Sequence, residues 1–293
     1  MKNLRVIVFL VNVSICPAAE LKVVSLHPLI GDLIRQVGGE KVEVVDLIGA
    51  TGDPHNFEPR ASDVRKADGA KLYFVSGMGL ENYLPKLKAI IDSQTRIVEI
   101  GATLPALHGD CDHEEHNHAH HHEVDPHWWH SVDLFRRAIN VVTNELSRAS
   151  PEHKTNFEAN ALIYRGKLDV LEKWVKRELV KIPKDRRHLA TAHAAFQYFC
   201  EAYGFESYSI QGLNREQMPD AAKLAGLIST LKMKRVIAIF PELESNPKML
   251  GSLTRDTGIK LGGKLIADGR GMKSYEEMMR ANVKTIVAGL SGE

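Results

Sequence analysis

Cysteine is scarce in this chain, which has three among 293 residues. Cys16 falls in a predicted leader, so only Cys111 and Cys200 remain in the mature sequence. A single pair of cysteines excludes a small fold stapled by disulfides. Cys200 ends an apolar run and is expected to be a buried small hydrophobe, whereas Cys111 lies among histidines and is a candidate thiolate ligand.

An excess of charge of either sign is also absent. The chain has 38 basic and 37 acidic residues and a formal net charge of +1. Loss of the leader, which carries Lys2 and Arg5, changes this charge to −1. A nucleic-acid partner usually needs a basic face, so the composition argues against one.

After the N-terminus, no apolar run is long enough to cross a bilayer. Residues 1–18 predict a cleaved signal peptide, because a basic start is followed by the apolar stretch Val6–Ile15 and by small residues. A short buried strand or a membrane anchor is the alternative. Lipid attachment at Cys16 is the less favoured outcome, since Ile15 replaces the usual small residue. We expect a soluble periplasmic or otherwise extracytoplasmic protein.

Motifs of common catalytic sites are missing as well. The sequence contains no nucleophile elbow, phosphate-binding loop or dinucleotide fingerprint. His113 and His116 lack the spacing of four residues that places two zinc ligands on a protease helix. Glu242 could act as a general base, but a fully ligated metal leaves no position for a reactive water. We expect no enzyme, and an exported zinc hydrolase is the less favoured alternative.

Histidine is abundant in one place. Nine of the 14 histidines lie between His108 and His130, most of them in the stretch 108–122, where carboxylates and Cys111 intervene. Imidazole is the commonest protein ligand of late first-row divalent metals, so this tract indicates metal binding. The stretch from Ala102 to Val124 has no periodicity, which predicts a long loop.

The rest of the chain alternates short apolar runs with amphipathic ones, as parallel α/β sheets do. In the first half the predicted strands are Leu21–Leu26, Val42–Leu47, Lys71–Val75 and Arg96–Ile100. The predicted helices between and after them are Leu29–Val37, Ala61–Lys66, Leu80–Ile91 and Val132–Ser147. In the second half the predicted strands are His188–Ala192, Ser207–Ile210, Arg235–Phe240 and Lys264–Ala267, with helices at Ala195–Tyr203, Ala221–Met233, Pro247–Thr257 and Tyr275–Leu290.

A long amphipathic helix separates the two halves. Pro151 suits a first helical turn after Ser150 as N-cap, and Pro183 ends the pattern. Apolar residues recur at intervals of three and four across about 45 Å of helix: Phe157, Ala161, Tyr164, Leu168, Leu171, Val175 and Leu179. We therefore predict an N-terminal lobe at 20–149, a rigid linking helix at 150–182 and a C-terminal lobe at 187–293.

Four candidate metal ligands follow predicted strands or the long loop. Ligands of open parallel sheets sit at the carboxyl ends of strands. His55 and His127 lie in Asp-Pro-His stretches of the first half, and His193 and Asp268 end predicted strands of the second. Each of them alone is more often a packed or turn residue. Together they form a set of three imidazoles and one carboxylate that suits Zn²⁺.

At these residues the chain resembles the solute-binding proteins of zinc and manganese ABC importers, the ZnuA/TroA-like group. The resemblance covers essentially the whole mature sequence, and its matching stretches are Pro54-His-Asn-Phe-Glu-Pro59, Ser62-Asp-Val, Gly77-Met-Gly-Leu-Glu81, Asp125-Pro-His127, Thr191-Ala-His-Ala-Ala-Phe-Gln-Tyr198, Ile239-Phe-Pro-Glu242 and Ser274-Tyr275 with Asn282. It implies two lobes with the metal between them, held at the positions of His55, His127, His193 and Asp268, and an ABC permease as partner. We expect a monomer.

Two departures from that group concern the neighbours of the ligands. Ala194 stands where the group often has an aspartate, so the support of the third imidazole is in doubt. His130 lies three residues after His127 and could be a fifth ligand or an outer donor, although a polar residue at a helix start is the favoured interpretation. Trp128 and Trp129 are expected to pack rather than to touch metal.

The resemblance and the donor set also bear on which metal is bound and on what the histidine tract does. A nitrogen-rich site and a histidine-rich acidic loop favour Zn²⁺, while Mn²⁺ or iron remains the alternative within the group. The loop could gather zinc weakly, gauge external zinc or have no large effect. Its candidate auxiliary ligands are His113, His116, His118, His120, His121 and His122. A periplasmic zinc buffer or chaperone without a permease is the other alternative.

Overall fold

The two halves of the chain form two four-stranded parallel sheets of the same topology. The structure is a computed structural model, and it describes residues 20–108, 124–213, 217, 219–243, 245 and 247–291. The predicted signal peptide with Cys16 and the core of the histidine tract with Cys111 lie outside these residues. No helix in the described part of the chain has the length and hydropathy needed to cross a membrane.

The N-terminal sheet has the strand order β2-β1-β3-β4, with every pair parallel. Its strands are β1 (Leu21–Ser25), β2 (Val42–Asp46), β3 (Leu72–Val75) and β4 (Arg96–Glu99). The helices of this half are α1 (Pro28–Gly38), α2 (Ala61–Lys66), α3 (Leu84–Lys88) and α4 (Val132–Ala149). The strand order reverses between β1 and β3, so a crevice opens at the carboxyl ends of these two strands.

The C-terminal sheet repeats this order as β6-β5-β7-β8. Its strands are β5 (His188–Thr191), β6 (Glu206–Ser209), β7 (Ala238–Phe240) and β8 (Lys260–Leu261). Its helices are α6 (Gln197–Tyr203), α7 (Ala221–Met233), α8 (Pro247–Thr257) and α9 (Tyr275–Leu290). The prediction of two parallel α/β lobes is confirmed, and the second crevice opens between β5 and β7.

The long helix α5 (Lys154–Leu179) connects the halves after a 3-10 turn at Pro151–His153. All seven apolar residues predicted to form its inner stripe are buried. Helix α5 packs against α1 and α4 from the first half and against α9 from the second. The largest hydrophobic core therefore runs without interruption from β1 through α5 to α9.

The main differences from the predicted elements concern one strand, one helix and one helix cap. The predicted strand Lys264–Ala267 is absent: β8 ends at Leu261, and only an isolated bridge pairs Leu265 with Glu242. Phe240 packs where a Cβ on Gly262 would lie, so only glycine fits at the residue after β8. Helix α3 is shorter than predicted at both ends, since it begins at Leu84 and ends at Lys88. The Ser150 side chain caps no helix, because its hydroxyl bonds the Glu152 carboxylate instead.

Candidate metal centre

His127 is fully buried and is held from behind by a carboxylate. It follows the long loop, and the Asp125 carboxylate accepts hydrogen bonds from its backbone N–H at 2.9 Å and from its Nδ1 at 2.8 Å. The proton on Nδ1 leaves the Nε2 lone pair free to bind a metal. Burial raises the pKa of Asp125 to about 7, while the hydrogen bond from the His127 backbone lowers it.

His193 is held in the same way at the crevice of the C-terminal sheet. It follows β5, and Glu242 follows the neighbouring strand β7. The Glu242 carboxylate accepts the His193 backbone N–H at 3.0 Å, and its second oxygen contacts Nδ1 of the same imidazole. Glu242 thus supplies the support that was in doubt with Ala194, from a strand far away in sequence.

His55 and Asp268 enter from loops on opposite sides. The Asp53 side chain accepts the His55 backbone N–H at 2.9 Å, which fixes the turn that presents this imidazole. Asp268 is 4% exposed and belongs to the turn before Gly269, which has a positive φ of 74°. The His55 Nε2 atom lies 3.7 Å from an Asp268 carboxylate oxygen.

The structure brings the three predicted histidines together. One donor atom from each of His55, His127 and His193 lies within 4.8 Å of the others, and the Nε2 atoms of His55 and His127 are 3.3 Å apart. Two nitrogens bound tetrahedrally at 2.0–2.1 Å from one Zn²⁺ are separated by about 3.4 Å. Asp53, His55 and Asp268 form a second group of the same compactness, which places the predicted carboxylate beside the imidazoles.

The centre suits a cation because its imidazoles are buried. Desolvation lowers the pKa of His127 well below its usual range, and the neighbouring His55 and His193 lower it further. A neutral imidazole is the form that binds metal, so protons compete weakly with a cation at His127.

Sequence reasoning missed His27, which is 1% exposed and lies at the edge of the centre. It follows β1 in Ser25-Leu-His27-Pro28, and its Nδ1 accepts the Leu29 backbone N–H at 3.2 Å as the N-cap of α1. Burial lowers the pKa of His27 to about 3. Its place at the end of a strand was the available signal, the same one that indicated His193.

His130 lies in a 3-10 turn at Trp128–His130 and not at a helix start. Its fully buried ring packs on Phe196 at 4.3 Å between centroids, and none of the compact donor groups in the described part of the chain includes it. Trp128 and Trp129 are buried packing residues, as expected. They also donate to the Ser76 hydroxyl and to the Ala267 carbonyl.

The histidine tract starts beside the centre. His108 pairs with Val124 in an isolated antiparallel bridge, and the Asp125 N–H donates to the Leu107 carbonyl at 2.9 Å. The predicted auxiliary ligands of the tract lie outside the described residues: His113, His116, His118, His120, His121 and His122.

Comparison with curated proteins gives relatives along nearly the whole chain. A manganese-binding lipoprotein, MntA of Halalkalibacterium halodurans, is 29% identical over 276 residues, which are 92% of this chain and 89% of the relative. The zinc-binding lipoprotein AdcA of Streptococcus pneumoniae is 30% identical over 91% of this chain, which matches 55% of that longer protein.

Solved structures agree with this fold. The periplasmic zinc-binding protein TroA of Treponema pallidum has a TM-score of 0.80 at 28% identity, covering 92% of this chain and 99% of that one. A manganese-bound periplasmic metal-binding protein of Candidatus Liberibacter asiaticus has a TM-score of 0.82 at 22% identity, with the same coverage.

A family model covers the same extent. The sequence matches the ZnuA family, described as zinc-uptake complex component A periplasmic, over residues 23–289. This range includes both sheets except the first two residues of β1, the long helix and all four candidate ligands. The chain therefore belongs to the ZnuA family and is a substrate-binding component of a metal ABC transporter, not an enzyme.

Proposed function

We propose that this protein binds Zn²⁺ outside the cytoplasmic membrane and delivers it to an ABC permease. The proposed ligands are His55, His127, His193 and Asp268. The observation that carries the proposal is the convergence of three buried imidazoles, with Nε2 of His55 and His127 3.3 Å apart. Carboxylates behind two of them fix the tautomer in which Nε2 is the free donor atom.

Zinc is favoured by the chemistry of the donor set. Three imidazoles and one carboxylate form a set in which nitrogen dominates, and nitrogen donors bind Zn²⁺ more strongly than Mn²⁺. Four protein ligands also satisfy tetrahedral Zn²⁺ completely. A Mn²⁺ ion prefers six mostly oxygen ligands, which the described side chains around this centre supply only in part.

A manganese receptor is the second candidate. Two relatives with 29% identity over 92% of this chain are named manganese-binding lipoproteins, while AdcA is named for zinc. The names of these relatives support a transition metal as cargo, and they support zinc and manganese alike. The two differ in which ion displaces the other.

The deciding experiment is metal competition on the tag-free mature protein. Protein loaded with Mn²⁺ is dialysed against an equal concentration of Zn²⁺, and the bound metals are counted by mass spectrometry. We expect zinc to replace manganese at one tight site. Retention of manganese under these conditions would establish the second candidate.

The ligand assignment is tested with single substitutions. His127→Ala and His193→Ala should each abolish tight zinc binding in calorimetric titration, because each removes one donor of a four-coordinate ion. His188→Ala is the matched control. His188 is partly exposed, begins β5 and pairs with Glu206 on the edge strand β6. Equal loss in the control variant would contradict the assignment.

Delivery to a permease is tested in cells. Zinc uptake should require both this protein and a metal permease, whereas a periplasmic buffer or chaperone would raise stored zinc without one.

The state of the N-terminus is tested by mass spectrometry of the mature protein. The mass distinguishes a cleaved signal peptide from a lipid on Cys16, and lipid attachment is the alternative that the names of lipoprotein relatives favour. We expect a monomer, which the molar mass of the mature protein in solution tests.

A further inference from the structure

His27 lies between the two lobes, on the N-terminal side of the metal centre. Its ring packs against Trp129 at 4.4 Å between centroids, and Trp129 donates from Nε1 to the Ala267 carbonyl at 2.7 Å. On the other side, Gly269 presses on the first turn of α1, since a Cβ added there would lie 2.3 Å from a methyl carbon of Leu29. His27 and the Asp268 turn are therefore neighbours around one indole ring.

The hydrogen bond at the other end of the ring determines the tautomer of His27. Its Nδ1 accepts the Leu29 backbone N–H, so this nitrogen carries no proton. The proton of the neutral ring is then on Nε2. This Nε2–H is buried and has no hydrogen-bond partner. A buried donor without a partner is costly, so an acceptor at this position stabilises the protein.

Asp268 is the acceptor that fits. Its two neighbours in sequence place it near His27, because the Ala267 carbonyl accepts from the Trp129 ring on which His27 packs, and Gly269 lies against Leu29. Asp53 already accepts the His55 backbone N–H and is half-exposed, whereas Asp268 is buried. The Nε2 atoms of His55 and His127 face the metal position and accept no further donor when metal is bound.

We propose that His27 is a positioning residue that makes this centre selective for zinc, by donating from Nε2 to the Asp268 carboxylate in the metal-bound protein. This inference rests on the proposed zinc site. A hydrogen bond to one carboxylate oxygen leaves the other for the metal, so Asp268 binds through a single oxygen. Single-oxygen binding keeps the coordination number at four, which suits Zn²⁺, and withholds an oxygen ligand that Mn²⁺ would use.

The test separates this role from the helix cap, because asparagine is also a strong N-cap residue. His27→Asn keeps a cap on α1 but is too short to reach Asp268. We expect its zinc affinity to fall by about 10–100-fold, the usual effect of losing a partner of a metal ligand. The manganese affinity should change much less, and the visible absorption spectrum of the Co²⁺-loaded protein should lose intensity as the tetrahedral geometry relaxes.

A second variant guards against a trivial loss of folding. His27→Gln carries an amide N–H on a longer side chain and should recover part of the zinc affinity. Urea unfolding of the metal-free proteins measures the cap itself. Unchanged affinity for both metals in His27→Asn would show that His27 is a cap only and overturn the inference.

An equal proportional loss for zinc and manganese, without recovery in His27→Gln, would also overturn it. The proposed function has its own test, which is whether the wild-type protein binds zinc tightly. A wild-type protein that binds zinc tightly while its His27→Asn variant binds equally well refutes the inference alone.

Discussion

Two of the three imidazoles are each supported by a carboxylate that contacts their Nδ1 atom. Asp125 supports His127 from two residues away, and Glu242 supports His193 from a neighbouring strand. Each carboxylate holds the ring in one orientation and increases the basicity of its Nε2. Glu242 also explains how the chain tolerates Ala194, where the family resemblance led us to look for an aspartate.

Glu242→Gln should weaken zinc binding by about 10–100-fold, because the glutamine oxygen can still accept the His193 backbone N–H but no second anionic oxygen faces Nδ1. Calorimetric competition with a chelator measures the change. Glu158→Gln, at an exposed position on α5, is the control and should bind zinc as the wild type does. Equal affinities in both variants would show that Glu242 does not orient the ligand.

Among the elements, the loop between β3 and α3 contains an unusual carboxylate. Glu81 is 6% exposed and accepts the backbone N–H groups of Ser76 at 2.6 Å and Gly77 at 3.0 Å. Burial raises its pKa to about 7, although these hydrogen bonds lower it. Met78, which lies between Gly77 and Glu81 in the sequence, has a positive φ of 57°, which is rare outside glycine. The Glu81 carboxylate therefore holds a strained turn.

The raised pKa of Glu81 predicts a pH dependence of stability. Between its unfolded value near 4.5 and about 7, the folded chain holds a proton that the unfolded chain has lost. Its contribution to the free energy of unfolding is complete below pH 4.5 and is lost as the pH rises to 7, by about 3 kcal/mol. In urea unfolding of the metal-free protein, Glu81→Gln should remove this part of the slope. A slope identical to that of the wild type would refute the assignment.

One hydroxyl of helix α6 bonds the chain before and after the histidine tract. The Tyr198 hydroxyl accepts the Leu107 N–H at 2.9 Å and donates to the Asp125 carbonyl at 3.1 Å. These two residues precede and follow the tract, and Asp125 is the partner of His127. Leu107 and Asp125 are therefore both tied to the lobe that carries His193.

Tyr198→Phe should lower the free energy of unfolding by about 1–3 kcal/mol, because it removes the partner of the part-buried Leu107 N–H and of the buried Asp125 carbonyl. Chemical denaturation of the metal-free protein measures the loss. Tyr208→Phe is the matched control: its hydroxyl bonds the exposed Glu206, so its removal should cost under 1 kcal/mol. Similar losses in both variants would contradict the role given to Tyr198.

At the scale of the whole molecule, the lobes are joined by more than the long helix. The Tyr275 ring stacks on Phe135 at 3.6 Å, its hydroxyl donates to the Trp129 carbonyl, and its backbone N–H donates to Asp32 at 2.9 Å. These contacts lie in one core that spans both lobes. Opening the lobes widely would expose this core to water, which is unfavourable.

Zinc binding should therefore change the radius of gyration very little. The expected response is a local rearrangement of loops around Asp268 and Glu242, which still suffices for a permease to distinguish the two states. Small-angle scattering with and without zinc measures it. A large decrease in the radius of gyration on zinc addition would contradict this expectation.

The histidine tract should be dispensable for tight binding. Replacing residues 109–122 by a short glycine linker leaves His108, Val124 and the Asp125–His127 pair in place. Ion counting by mass spectrometry should then find one tight zinc and fewer weakly bound ions than in the full chain. Loss of the tight site would mean that the tract supplies a primary ligand.

Sequence alone determined the parts of this protein that depend on local chemistry. Periodicity predicted helices α7, α8 and α9 at the bounds found, and the inner stripe of α5, because a buried face needs apolar residues at regular intervals. The sequence also singled out His55, His127 and His193, which the structure brings together, and Asp268, which lies beside His55 although the strand predicted before it is absent.

Tertiary structure decided what depends on residues distant in sequence. Glu242 meets His193 because β5 and β7 are neighbours in the sheet, and His27 meets the Asp268 turn because the lobes share one core. The missing strand at Lys264–Ala267 is also a tertiary outcome, since β8 pairs with β7 only over Lys260–Leu261. Strand order and lobe contacts bring such residues together, and neither is encoded in the spacing along the chain.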